Sequence, residues 1–149
     1  MATIDYLTNL PGKWYIIGST FKMWTSGKKT NPSITYSILN SDPLKILDKV
    51  QYQSKGKTKS IVGYDTLKKG LFIWRGKGML KPFTSEWETL YIDSDILIIK
   101  FSSTLVTPSG LDVLLRDRQN AATYKKQLHA HPTSFNLKSE TVQELKWLY

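Results

Sequence analysis

The chain has 149 residues, with 21 basic against 12 acidic side chains for a formal net charge of +9. That length suits one domain, residues 1–149, with a core of its own, and the charge favours anionic partners. There is no cysteine, which excludes disulfides, thiolate metal sites and cysteine nucleophiles.

The first residues, MATIDYLTNL, lack a basic segment followed by an apolar one, so no secretory signal is read and a cytoplasmic protein is expected. No apolar run approaches the ~18 residues that would cross a bilayer. The first strand is KWYIIGST, entered directly from Pro11-Gly12. A looser stretch, FKMWTSGKKTNP, leads to SITYSIL, and NSDP turns the chain into KILDKVQYQ. SKGK separates that from KSIVGYDTL, and KKG separates it from LFIWRGKGML. KPFTS precedes EWETLYI, DSD precedes ILIIKFSST, and TPSG precedes LDVLLRDR. A helix is expected in NAATYKKQLHAH, with Asn120 as N-cap and Tyr124 and Leu128 on one face. Pro132 stops it, and FNLKSETVQELKWLY reads as a final strand or a short helix.

Eight strands in succession, then one helix, is an all-β pattern, since βαβ folds alternate the two. The expected architecture is an eight-stranded antiparallel up-and-down β-barrel with one C-terminal α-helix packed outside. Such a barrel can hold one small ligand. A sandwich needs a long cross-connection, and most links here are too short for one. Aromatics make up 12% of the chain, with five Trp and eight Tyr. That exceeds what one small core needs, so some of them are expected to line a cavity.

Gly12-Lys13-Trp14 resembles the lipocalin signature, a Gly-x-Trp at the start of the first barrel strand. Asp93-Ser94-Asp95 looks like the family's second motif, between the sixth and seventh strands, and VLLRDR like its third, an apolar eighth strand ending in arginine. The resemblance spans nearly the whole chain. It implies that Gly12, Trp14 and Arg116 close one end of the barrel, the guanidinium lying across the indole; Arg118 is the alternative.

The family's inward parity, carried along alternating strands, places Ile16 and Gly18 with Trp14. It adds Tyr36, Asp48, Phe72, Trp74, Trp87, Tyr91, Ile98, Lys100 and Asp112 to the lumen. A slip of one residue in any strand would invert its set. Three charges among aromatics imply a wet cavity rather than a filled core. Lys100 is then either the anchor for an acidic head group or the partner of Asp112.

The mouth loops gather Lys28, Lys29, Lys55, Lys57, Lys77 and Lys81, whereas Asp42, Asp65, Asp93 and Asp95 fall at the other end. Phe21, Met23, Trp24, Met79, Leu80 and Phe83 would form a lid or rim. The expected function is binding and transport of a small hydrophobic or amphiphilic molecule, anionic by the charge argument, with fatty acids among the candidate lipids. An anionic membrane surface is a further partner the basic rim would suit. The alternative is an enzyme of this fold, an isomerase or cyclase using Asp48, Asp112 and Tyr91. Few arginines and no recognisable motif argue against nucleic acid. No cofactor or metal is expected: His129 and His131 sit on or after the outer helix, away from any lumen.

Overall fold

Short alternating segments separated by tight turns produce the strands β1 (Gly12–Ser19), β2 (Thr30–Ser41), β3 (Leu44–Ser54), β4 (Lys57–Lys68), β5 (Leu71–Gly76), β6 (Thr84–Ile92), β7 (Ile96–Ser102) and β8 (Gly110–Leu115) in the computed structural model, which describes residues 4–103 and 109–149. A ninth, β9 (Lys146–Trp147), completes the sheet. Of the two-residue hairpin links, Lys55-Gly56 and Lys69-Gly70 have positive φ at both positions. That geometry matches the twist of the flanking strands and asks for glycine in second place.

Each strand from β2 to β8 pairs antiparallel with the next, and β1 pairs with both β8 and β2. The sheet is therefore a closed eight-stranded up-and-down barrel. Near the mouth β1 leaves β2 and takes β9 instead, with Gly18 opposite Trp147. Four short helices complete the chain: α1 (Tyr6–Asn9), α2 (Lys22–Thr25), α3 (Ala121–Ala130) and α4 (Ser139–Glu144).

Hydrophobic burial is divided between two regions. Inside the barrel, Trp14, Ile16, Tyr36, Ile46, Phe72, Trp87 and Leu114 are fully or almost fully buried. Outside it, Ile17, Ile96, Ile98, Val113 and Leu115 are covered by Leu128 of α3, Phe135, and Val142 of α4. Each such aliphatic side chain contributes roughly 1.5–3 kcal/mol by leaving water. Tyr124 joins Leu128 on this covered wall, as their spacing implies. Asn120 holds the N-cap position of α3 as expected, but its side chain makes no capping hydrogen bond. Asp117 accepts from the Gln119 N–H at 2.9 Å instead, because a 3₁₀ turn, Arg118–Asn120, precedes α3. The last segment forms both α4 and the two-residue β9.

The closing cluster is built as the signature implies. Arg116 lies with its Cζ 3.6 Å from the centre of the Trp14 ring. Its guanidinium donates to the carbonyls of Asn9 (2.7 Å), Pro11 (2.8 Å) and Lys13 (3.1 Å). The Trp14 indole N–H donates to the Leu10 carbonyl at 2.9 Å. Gly12 is needed twice: its φ is +109°, and a Cβ there would meet Arg116 Nη1 at 2.9 Å. Arg118 instead lies outside the barrel, over the ring of Tyr15. At the same end Asp93 folds back on its own turn, its Oδ1 accepting from the N–H groups of Asp95 and Ile96.

Candidate functional site

Inward-facing side chains fill the lower barrel with stacked aromatics. Phe72 lies on Trp87 with ring centres 4.3 Å apart, Tyr36 adjoins Trp87 at 5.8 Å, and Tyr6 of α1 seals Phe72 edge-on at 5.0 Å. Above this floor the barrel is not filled. A cavity of about 590 Å³ runs to the mouth, walled by Ile16, Ile34, Tyr36, Val50, Ile61, Trp74 and Phe101, with Asp48, Ser85 and Asp112 as its deeper polar groups. That volume is in the range of sites for small organic ligands.

The Trp74 ring can lie along the wall because residue 63 is glycine: a Cβ there would collide with the Trp74 indole nitrogen and the Arg75 carbonyl. The mouth is roofed by α2. Phe21 packs edge-on to Phe101 at 5.4 Å, and Trp24 meets Tyr52 at 5.6 Å, with the Lys29 ammonium over the Tyr52 ring. Gly110 makes room for the Phe21 ring, which a Cβ would meet at 2.5 Å.

Three carboxyls are buried inside the barrel: Asp48, Asp65 and Asp112. Asp48 and Asp65 are diagonal neighbours on β3 and β4, and Asp48 Oδ1 and Asp65 Oδ2 are buried without a hydrogen-bond donor among the described residues. Burial raises both above the ordinary carboxylate range, and the negative charge of Asp48 raises Asp65 further. Asp65 Oδ1 accepts from the Trp87 indole N–H at 3.0 Å, anchoring the aromatic floor. Burial pushes Asp112 up to about 7, while the Ser19 hydroxyl, donating at 2.7 Å, pulls the other way. The same Ser19 oxygen accepts from the Phe21 N–H at 3.0 Å, so a hydrogen-bonded chain runs from the cavity acid to the roof. Tyr36 is fully buried, and desolvation with the charges of all three acids holds its hydroxyl protonated far above its usual range.

Of the residues expected in the lumen, Tyr36, Asp48, Trp74 and Asp112 line the cavity, and Phe72 and Trp87 form its floor. Four others, Gly18, Tyr91, Ile98 and Lys100, are turned away. Gly18 follows a bulge in β1, faces Trp147 outside, and leaves the inward position to Ser19. Tyr91 follows a bulge in β6, packs on Phe135 outside the barrel, and donates to Asp93 at 3.0 Å. Lys100 is exposed, because in β7 the inward set is Leu97, Ile99 and Phe101 while Ile98 is buried under the helices. Lys100 is therefore neither an anchor in the cavity nor the partner of Asp112. The acid–base trio Asp48, Asp112 and Tyr91 is likewise not brought together.

Asp65, expected among the charges of the closed end, is buried inside the barrel, where it shares the inward parity of Ile61 and Gly63 on β4. At the rim, Phe21, Met23 and Trp24 line the cavity. Met79 and Phe83 do not: the chain leaves β5 at Gly76, and the two project into solvent, 96% and 43% exposed. Leu80 lies in the short 3₁₀ turn between β5 and β6. Most of the seventh connection, 104–108, lies outside the described residues. Ser85 was missed entirely. Its inward parity relative to Trp87 was the available signal, and its Oγ, buried in the wall, has no hydrogen-bond partner among the described residues. Among the described residues no three metal-ligating side chains converge.

Comparison with solved structures places this barrel among the lipocalins in fold. A bovine lipocalin allergen, Bos d 2, superposes with a TM-score of 0.59 at 13% identity, covering 97% of this chain and 95% of that one. Aphrodisin, described as a sex pheromone from female hamster, gives 0.60 at 13% identity, with 94% and 95% covered. The siderocalin Ex-FABP, described as functioning through dual ligand specificities, gives 0.58 at 15% identity, with 93% and 92% covered. No protein-family model matches the sequence, and no curated protein sequence matches it.

Proposed function

We propose that the protein binds a small molecule with a flat, largely apolar body inside the barrel. The observation that carries this is the unfilled upper lumen of about 590 Å³ in a barrel whose lower half is packed with aromatic rings. Interiors of domains close to near-crystalline density unless something else is to fill the space. The pheromone and ligand-binding descriptions of two proteins with this fold support the reading. The roof of Phe21 and Trp24 would cover the occupant, and storage or carriage between sites is the role such enclosure suits. Exposed Met79 and Phe83 beside Lys77 and Lys81 suit brief contact with an anionic membrane surface during loading. The acidic head group expected from the overall charge loses its lysine anchor. An anionic ligand would have to hold its charge at the mouth, where Lys22 is the lining cation.

The test is titration with N-phenyl-1-naphthylamine, a neutral dye that brightens in apolar sites. Saturable binding is expected in the native protein, with loss in Ile61→Trp, which fills the lumen without touching the closing cluster. Absence of saturable binding, or binding indifferent to Ile61→Trp, would rule out the internal site.

A further inference from the structure

The polar groups of this cavity have an unbalanced character. Asp48 and Asp112 both line it and are almost wholly buried, at 5% and 3% exposure, with Asp65 behind Asp48. Among the described residues nothing donates to the second oxygen of Asp112. The Ser85 hydroxyl, 5% exposed, faces the same space with no hydrogen-bond partner among the described residues. Tyr36 stands within electrostatic reach of all three acids and offers a ring face and a hydroxyl. Among the described residues no cationic side chain accompanies them: Lys22, the lysine on the lining, is exposed at the rim. Buried carboxyls are costly without a counter-charge, and a site needing only apolar contact would not carry them. The missing partner is a cation. A metal ion fits less well, because among the described residues no three metal-ligating side chains come together to form its ligand set. An organic ammonium does, since it brings one positive charge, several N–H donors and an apolar body suited to aromatic walls.

We infer, on the basis of the internal binding site proposed above, that the ligand is a small protonated amine on an aromatic or branched apolar body, its nitrogen drawn to the buried carboxyls of the cavity, Asp112 and Asp48, and its body to the aromatic wall that includes Tyr36. The groups that titrate or carry charge around that position are Asp48 of β3, Asp65 of β4, Asp112 of β8 and Tyr36 of β2, with Lys22 of α2 at the rim. Uptake of the ammonium favours the ionised carboxyls, so binding near neutral pH releases protons to the buffer. Affinity rises as pH increases through the range in which Asp112 ionises and falls again once the amine itself loses its proton.

Three probes of one shape separate the charges: phenethylamine, 2-phenylethanol and 3-phenylpropionate, measured by calorimetry at pH 8. Phenethylamine is expected to bind roughly tenfold or more tightly than the alcohol, the carboxylate least tightly of all. The preference should vanish in the Asp48→Asn, Asp112→Asn double variant while the alcohol still binds. In the unmodified protein, the heat of phenethylamine binding near pH 7 should differ between phosphate and Tris by the proton released. Equal or tighter binding of the alcohol or the carboxylate would overturn the amine assignment, as would a heat that does not depend on the buffer. Failure of all three probes would also overturn it. In that case the neutral dye decides the wider question: if it still binds, the cavity stands without the amine, and if it does not, both readings fall.

Discussion

Arg116 works at the closed end through shape as much as charge. A planar guanidinium can lie flat on the Trp14 indole and still reach three carbonyls, which a lysine ammonium cannot. Arg116→Lys should therefore lose most of what Arg116→Ala loses, and Trp14→Ala should cost about 3–5 kcal/mol in urea unfolding as a buried tryptophan removed. Asp112 yields a second prediction, with a definite sign. Its folded value of about 7 lies above the 3.8 of an unperturbed aspartate. Below about pH 4 both folded and unfolded forms are protonated. Between there and about pH 7 the unfolded form ionises while the folded one keeps its proton, so this group lowers stability as pH rises and levels off above that. Asp112→Asn should raise the melting temperature at pH 8 and reduce that slope, by on the order of a few kcal/mol across the range. Gly63→Ala should displace Trp74 and weaken dye binding more than it lowers stability, read from the same titration beside a thermal melt.

Strand parity decided which residues could be read from the sequence. Trp14, Ile16, Tyr36, Asp48, Phe72, Trp74 and Trp87 follow unbroken alternation and were legible. Tyr91 was not, because the extra residue in β6 turns it outward while Ile92 returns to the core. Gly18 was lost to the corresponding bulge in β1. Lys100 failed for another reason. β7 is apolar on both faces, since one faces the lumen and the other the helices, so alternation carries no information until Lys100 marks the solvent side. Asp65 was within reach, since it follows Ile61 and Gly63 in the alternation of β4, but a charge near the lysine-glycine turn reads as solvated at the strand end rather than buried. The roof is an element whose hold on the barrel can be tested. Gly110→Ala puts a carbon against the Phe21 ring, so ligand dissociation should quicken in stopped-flow displacement while the closing cluster and the melting temperature change little. An unchanged dissociation rate would mean that Phe21 does not gate the cavity.

Over the whole molecule, charge is sorted by depth. The surface carries the excess of lysines, while three carboxyls are sealed within the barrel. Salt screens the outer charges over about 10 Å and reaches the buried ones far less. Added salt should therefore speed the association of a cationic ligand, by relieving repulsion at the mouth, and slow that of an anionic one, with dissociation rates little changed for either. The fold itself was legible because short strands, turn residues and one late helix agree at every level. The sign of the interior was not, since a net charge says nothing of where each charge is buried.

The way β1 is paired bears on how the chain is made. Its hydrogen-bonding partners are β2, which follows at once, and β8 and β9, which are the last strands in the sequence. During synthesis the first strand therefore waits, one edge open, until β8 and β9 have been released. Closure by such distant partners makes for slow folding. Until Gly18 meets Trp147 the nascent chain presents an apolar ribbon that other unfinished chains could extend, so its yield in a cell should depend on how crowded and how well chaperoned that interval is.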